Sequence, residues 1–114
     1  MTTPVQITYR NLSPSDAISA LIHERVEKLS KYCDRITSCS VAVEAPHSRH
    51  TKGDHFRVRV DMTVPGAELV ADRDPAEHAE NEDVYIAVRN AFRAAERELH
   101  DFTEKRRQRE RAAP

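Results

Sequence analysis

The chain has 114 residues, of which 39% are hydrophobic and 32% charged, and its formal net charge is −1 with histidine neutral. This length fits a single domain with a modest core. No apolar run approaches the roughly 18 residues of a membrane span, and the N-terminus lacks the apolar stretch of a secretory signal. Two cysteines, Cys33 and Cys39, are too few for a disulfide scaffold and lack zinc-site spacing. A cytoplasmic domain without metal or cofactor is therefore expected.

The charges are unevenly distributed along the chain. Residues 1–67 have nine basic and seven acidic side chains, a net of +2. Residues 68–83 have seven acidic side chains and only Arg73, a net of −6, and residues 84–114 have eight basic and five acidic ones, a net of +3. The overall charge thus does not exclude a nucleic-acid binder, although a solvated acidic loop beside solvated helices fits equally well.

The first elements are predicted to be a strand and a helix. Alternating apolar residues over 5–9 predict the strand. Ser13 is expected to be the N-cap of the helix, with Pro14 at its first position and Asp16 at its third. One apolar face follows at three- and four-residue spacing, formed by Ile18, Leu21, Ile22, Val26, Leu29 and Cys33.

Three further strands are predicted from a change of period. Apolar residues alternate over 39–45 and again over 56–64, on either side of a polar loop at 47–54. Pro65-Gly66 predicts a tight turn, because proline presets its φ and glycine tolerates a positive one. A shorter returning strand is predicted at 68–71.

A polar loop over 72–82 is expected to lead into a second helix, capped by Asn81 or Asp83. The basic segment 105–114 contains no large apolar residue and is expected to be a frayed helix end or a flexible tail, which leaves residues 1–104 as the folded domain. The apolar stripe of this helix comprises Val84, Val88, Ala91, Phe92, Ala95, Leu99 and Phe102.

The element order β-α-β-β-β-α predicts an α+β fold, a two-layer sandwich with two helices on one face of a four-stranded mixed sheet. The strand–helix–strand start requires a crossover, which makes the first two strands parallel. Arg57 and Arg59 would lie on the opposite face, which would be open to water.

The sequence offers little for catalysis, and an enzyme is not expected. Its two glycines exclude a glycine-rich phosphate loop and a dinucleotide-binding fingerprint. His47, His50 and His55 could begin a metal site, but a polar loop explains them better because no complete ligand set accompanies them.

Two rows of cations favour nucleic-acid binding. On the first helix they are three residues apart and on the second four apart, so each row follows one side of its helix. If the helices pack side by side, the rows would form one basic surface that contacts phosphates and recognises RNA shape. Interspersed glutamates also fit two merely solvated helix surfaces. The rows comprise Arg25, Lys28 and Lys31 on the first helix and Arg89, Arg93 and Arg97 on the second.

Most aromatic residues fall on the apolar stripes, so an exposed aromatic platform is not expected and recognition of single strands by stacking is disfavoured. A free double-stranded RNA binder remains a further alternative, and it rests on the same basic surface.

Four short segments resemble one protein family. Lys28–Ile36 resembles the turn that closes the first helix of the ribosome hibernation-promoting and ribosome-associated inhibitor proteins, also called sigma-54 modulation or ribosomal subunit interface proteins. Glu82–Val88 resembles the family's Asp-Met-Tyr-x-Ala-Ile segment, Arg97–Leu99 a later Arg-Gln-Leu, and Pro65–Leu69 its hairpin. The resemblance covers about residues 5–105 in one register and corresponds to a short form of the family.

The resemblance implies a cytoplasmic protein that binds the 16S-type rRNA of the small ribosomal subunit in the decoding channel. There it would block messenger and transfer RNA under stress by occlusion, with no covalent step, no small-molecule substrate and no membrane partner. Tyr85 and Asp83 match family positions, to which packing and helix capping are assigned. Matching positions imply rRNA contacts at Arg25, Lys28, Lys31, Arg35 and Arg97, and the second helix row adds Arg89 and Arg93.

The chain also departs from the family pattern. Arg89 and Arg93 stand where relatives often have aspartate, and the loop at 72–81 is longer than in compact members. A chain ending at Pro114 is expected to lack both a cold-shock-like domain and the separate C-terminal dimerisation domain of long members. The acidic residues 68–83 and the altered row with Arg89 and Arg93 leave open an alternative function, a protein-interaction or oligomerisation module acting away from the ribosome. A homo-oligomer is left open but is not indicated.

Overall fold

A computed structural model describes residues 3–45, 56–72 and 83–112. Within them, the fold is the predicted two-layer α+β sandwich, with both helices on one face of a four-stranded mixed sheet. The elements are β1 (Val5–Arg10), α1 (Asp16–Tyr32), β2 (Ser38–Glu44), β3 (Arg57–Val64), β4 (Ala67–Asp72) and α2 (Val84–Ala112).

The sheet has the strand order β1-β2-β3-β4, with β1 and β2 parallel and the other neighbours antiparallel. The parallel pair follows from the crossover through α1, as predicted. The register places Ile7 beside Val41, Val41 beside Val60, and Val60 beside Ala71. Because residues directly opposite share a face, this apolar row crosses the whole sheet beneath the helices.

The core lies between the sheet and the two helices. Alternate residues of β2 and β3 are buried, and their neighbours face outward, as the period of two requires. Arg57 and Arg59 therefore lie on the exposed outer face, as predicted. The largest fully buried side chains from the two layers are Ile22, Leu29, Met62 and Leu99.

The predicted start of α1 was wrong by two residues. The N-cap is Ser15, not Ser13: its backbone is extended (φ −129°, ψ 124°) and its Oγ accepts a 3.3 Å hydrogen bond from the Ile18 amide. Because an N-cap residue has non-helical backbone, the extended Ser15 places Ser13 and Pro14 outside the helix. Asp16 then occupies the first helical position, where its charge complements the helix dipole.

The turn and the second cap agree with the sequence. Gly66 has a φ of 82°, the left-handed value that glycine adopts without strain. Asp83 caps α2, because its Oδ1 accepts a 2.8 Å hydrogen bond from the Tyr85 amide. Asn81 lies outside the described residues. Asp72, predicted to begin a loop, is instead the last residue of β4.

Helix α2 continues across the predicted boundary after residue 104 and ends at Ala112. The segment expected to be a frayed end or flexible tail is therefore helical up to that residue. Two ion pairs follow helical spacing here: Arg106 Nε lies 3.4 Å from Glu110 Oε1, and Arg107 lies 3.5 Å from Glu104. Lysine, arginine, glutamine and glutamate are good helix formers, so this end requires no apolar face.

Candidate nucleic-acid interface

The two helices lie side by side on the sheet, and a groove opens to solvent between them. We call this surface the helix groove. Its walls come from the last turns of α1 and the middle of α2, where residues three and four apart share a side of each helix. The groove is lined by Lys28, Leu29, Tyr32, Arg93, Glu96, Arg97 and His100.

The cations of the helix groove have few internal partners. Lys28 lies 3.9 Å from Glu24, and both side chains are more than half exposed, so this ion pair is weak. Arg93 and Arg97 form no ion pair with any described residue. Among the described residues that line the groove, Glu96 is the only carboxylate. The groove therefore has a surplus of positive charge that is available to an external anion.

The predicted cation rows meet only in part. Of the seven predicted rRNA contacts, the structure brings Lys28, Arg93 and Arg97 together around the helix groove. Lys31 lines a different depression, beside β1, which it shares with Thr3 and His23. The two rows thus form one surface at their centre and diverge at their ends.

The other three predicted residues do not line the groove. Arg89 is exposed on α2 one turn before Arg93, and Arg35 is exposed in the connection between α1 and β2. Arg25 is half-buried, and its Nε has no hydrogen-bond partner among the described residues.

Two aromatic side chains are exposed, although no exposed aromatic platform is predicted from the sequence. Tyr32 is 51% exposed and Tyr85 is 40% exposed. In the helix groove, Tyr32 stacks on His100, with ring centroids 6.2 Å apart and planes inclined by 21°. The helical spacing from Lys28 to Tyr32 could have placed this tyrosine beside the cation, but the partner on α2 could not be read from α1.

The outer face of the sheet is the contrasting charged surface. Arg57 donates two hydrogen bonds to Asp72, of 3.0 and 2.9 Å, in a bidentate arrangement. Arg59 donates to Asp61 at 3.2 Å, and its Nη1 lies 4.0 Å from Asp72. These arginines are neutralised by carboxylates of the same face, so we do not assign nucleic-acid binding to it.

The cysteines do not form a nucleophilic site. Burial and the nearby Asp61 raise the pKa of the Cys39 thiol from 9.0 to about 11. Burial and Asp34 also raise the pKa of Cys33, with a partly opposing effect of a Thr103 hydrogen bond and of Arg106. Since the thiolate is the reactive form, both raised pKa values favour the inert thiol near neutral pH.

Residues 3–45, 56–72 and 83–112 contain no group of three histidine, cysteine or acidic side chains able to hold a metal ion. His47, His50 and His55 lie outside these ranges. None of the helices in the described part of the chain is long and apolar enough to cross a membrane.

Two curated relatives have comparable sequences. The ribosome hibernation promotion factor of Deinococcus radiodurans is 29% identical over 97 residues, which are 85% of this chain and 47% of that protein. The chain therefore spans about half the length of this relative. The ribosome hibernation promoting factor of Azotobacter vinelandii is 28% identical over 106 residues, 93% of this chain and 88% of that protein.

Two solved structures share the fold. A ribosomal subunit interface protein from Coxiella burnetii has a TM-score of 0.68 at 16% identity, covering 90% of this chain and 99% of that one. The N-terminal domain of Thermus thermophilus Protein Y has a TM-score of 0.63 at 20% identity with the same coverage. The family model described as sigma 54 modulation protein / S30EA ribosomal protein matches residues 5–107. Since this match takes in nearly the whole chain, the protein belongs to that family.

Proposed function

We propose that this protein is a cytoplasmic, ribosome-associated hibernation factor. It binds the rRNA of the small subunit in the decoding channel and blocks messenger and transfer RNA under stress. One observation carries the proposal: Lys28 of α1 converges with Arg93 and Arg97 of α2 on one groove, and the two arginines have no ion-pair partner among the described residues. The curated relatives are named for ribosome hibernation. The fold resemblance to a ribosomal subunit interface protein agrees with it.

The mechanism is occlusion by binding, with no covalent step. The planar guanidinium groups of Arg93 and Arg97 can each donate hydrogen bonds to two oxygens of one phosphate, whereas Lys28 contributes a compact positive charge. Each phosphate that these side chains neutralise releases condensed counterions, so the affinity falls as salt rises. Arg25, Lys31, Arg35 and Arg89 extend the contact on either side of the helix groove. The binding unit is residues 1–104, and the basic segment 105–114 continues beyond it.

Co-sedimentation with purified small subunits in sucrose gradients, repeated at increasing salt, tests the proposal. The protein should migrate with the subunit at low salt. Its affinity should fall as salt increases, with a linear relation between log affinity and log salt concentration. Absence from the subunit fraction even at the lowest salt would sink the proposal. A ribosome-free pull-down that recovers one stoichiometric protein and no rRNA would favour the protein-interaction module instead.

The position on the subunit needs a second measurement. Chemical probing of the rRNA should show protection of decoding-region nucleotides when the protein is bound. Messenger and transfer RNA added first should reduce co-sedimentation, because they occupy the same channel. Protection confined to another part of the subunit, or simultaneous binding with both RNAs, would contradict occlusion while leaving ribosome association intact.

A further inference from the structure

Building on the proposed function, we propose that Tyr32 and His100 form a stacking platform for an unpaired nucleobase of the bound RNA. In this arrangement the cations of the helix groove hold the adjoining phosphates. The groove then recognises a single-stranded nucleotide and not only the charge of a duplex.

The ring geometry supports a platform. Tyr32 and His100 come from different helices, and their planes are within 21° of parallel. Tyr32 remains 51% exposed, so one ring is supported by its neighbour while keeping surface available. An exposed aromatic ring can stack on the π-face of any base, so the base sequence of the RNA has little influence on the affinity.

The charges around the platform favour a nucleotide over a protein partner. Lys28 precedes Tyr32 by one helical turn, and Arg97 precedes His100 by three residues. A base stacked on the rings would therefore have cations on both sides for its flanking phosphates. Leu29, the large aliphatic residue of the groove, is only 2% exposed and offers little surface for an apolar protein side chain.

The volume of the helix groove and its contrast with the outer face of the sheet also favour a nucleotide. The helix groove is open to solvent, and its volume of about 550 Å³ is large enough for a nucleobase. The described residues that line the depression on the outer face of the sheet include no aromatic side chain, and two of its three arginines, Arg57 and Arg59, are paired. Of these two surfaces, only the helix groove combines a ring stack with cations that have no ion-pair partner among the described residues.

Substitution of Tyr32 tests the platform, with small-subunit affinity as the first readout. Tyr32→Ala should weaken binding about tenfold, the order expected for one stacked base, and Tyr32→Trp should retain it. Tyr85→Ala is the matched control, because Tyr85 is also exposed but does not line the groove. It should bind within twofold of the unchanged protein.

Two further readouts separate stacking from a general loss of structure or charge. Tyr32→Ala should leave the slope of log affinity against log salt unchanged, since no phosphate contact is removed, whereas Arg97→Ala should reduce it by about one. The unchanged protein should bind a short single-stranded RNA more tightly than a duplex of the same length, and Tyr32→Ala should remove that preference. Thermal unfolding verifies that each variant folds.

The outcomes distinguish this inference from the proposed function. If the unchanged protein fails to bind small subunits, the proposed function is lost. If it binds them but Tyr32→Ala binds within twofold, or the duplex is preferred over the single strand, the stacking platform is overturned and ribosome association stands.

Discussion

The two charged surfaces of this protein differ in how their arginines are paired. On the outer face of the sheet, Arg57 makes a bidentate pair with Asp72, and Arg59 lies 3.2 Å from Asp61. The arginines of the helix groove have no ion-pair partner in the described part of the chain. The charge on the outer face of the sheet is thus largely neutralised by carboxylates of that face, whereas the positive charge of the helix groove is available to an external anion.

The contrast shows that the arrangement of charges matters more than their number. On the sheet, the register places Arg59 directly opposite Asp72, and Asp61 follows Arg59 by two residues on the same face. On α2, Glu96 follows Arg93 by three residues, yet no ion pair forms between them. A net charge of −1 for the whole chain is therefore compatible with a cationic binding surface.

The largest expected effect comes from reversing charge in the helix groove. The double variant Arg93→Glu/Arg97→Glu should weaken small-subunit binding at least about a hundredfold. A hydrogen bond to a charged group contributes about 1.5–3 kcal/mol, and each 1.4 kcal/mol is about tenfold in affinity. Quantitative co-sedimentation at one fixed salt concentration measures this loss.

The matched control lies on the sheet, and it is compared with Arg93→Gln/Arg97→Gln so that both surfaces lose the same charge. Arg57→Gln/Arg59→Gln removes two charges from the other surface and should change the affinity less than about threefold, since these side chains are already neutralised. Equal losses in the two glutamine double variants would break the distinction between the surfaces and assign binding to overall charge.

The fold could be predicted because each element has a single apolar face. Residues 56–64 alternate strictly, and the stripe of α2 repeats every three or four residues, so period and order were enough for the layers and the parallel pair. The start of α1 could not be fixed, because Ser13 and Ser15 are both suitable caps and the choice depends on backbone geometry around Pro14. The helical end at 105–112 depends on side-chain ion pairs that an apolar pattern does not reveal.

The candidate site could be predicted only within each helix. Spacing placed Lys28 on one row and Arg93 and Arg97 on another, and these three residues do line one groove. The stacking of Tyr32 on His100 joins two helices that are distant in sequence, so no local pattern contains it. Pairing of the sheet arginines likewise depends on the strand register.

The next largest expected effect concerns the alkylation rate of Cys39, which is buried in the core. Because the pKa of Cys39 is raised to about 11, at pH 9 its thiolate should be about fiftyfold scarcer than in the unfolded chain. Alkylation at pH 9, followed by mass spectrometry, should therefore be slower than in denaturant by at least about that factor, since Cys39 is also only 2% exposed. As pH rises from 9 to 11 the unfolded chain loses this proton first, so the thiol contributes to a fall in stability across that window.

The same measurement serves as a folding control. Arg93→Glu/Arg97→Glu should protect Cys39 as well as the unchanged protein does, because both arginines are exposed and neither belongs to the buried core. Alkylation of Cys39 at the unfolded rate in the native protein would show that the sheet and helices do not enclose it.

A smaller effect concerns the residue that fixes the start of α2. Asp83→Ala should cost about 1 kcal/mol of folding stability, because the Tyr85 amide loses its acceptor. Urea denaturation measures the loss. Asp83→Asn keeps the cap while removing the charge, so it should be close to the unchanged protein in stability. If Asn destabilises as much as Ala, the carboxylate acts through charge and the capping role is wrong.

The smallest expected effect tests why the outer face of the sheet is not expected to bind RNA. Asp72→Asn removes the carboxylate shared by Arg57 and Arg59 and should raise low-salt affinity for a plain RNA duplex about two- to threefold, with the gain lost as salt increases. The stability cost should stay below about 1 kcal/mol, since Arg57 is half exposed. Glu68→Gln is the control, because it removes the same charge from β4 without an arginine partner among the described residues. If both variants gain equally, net charge and not the released arginines accounts for the change, and the self-neutralised sheet would no longer explain the difference between the two surfaces.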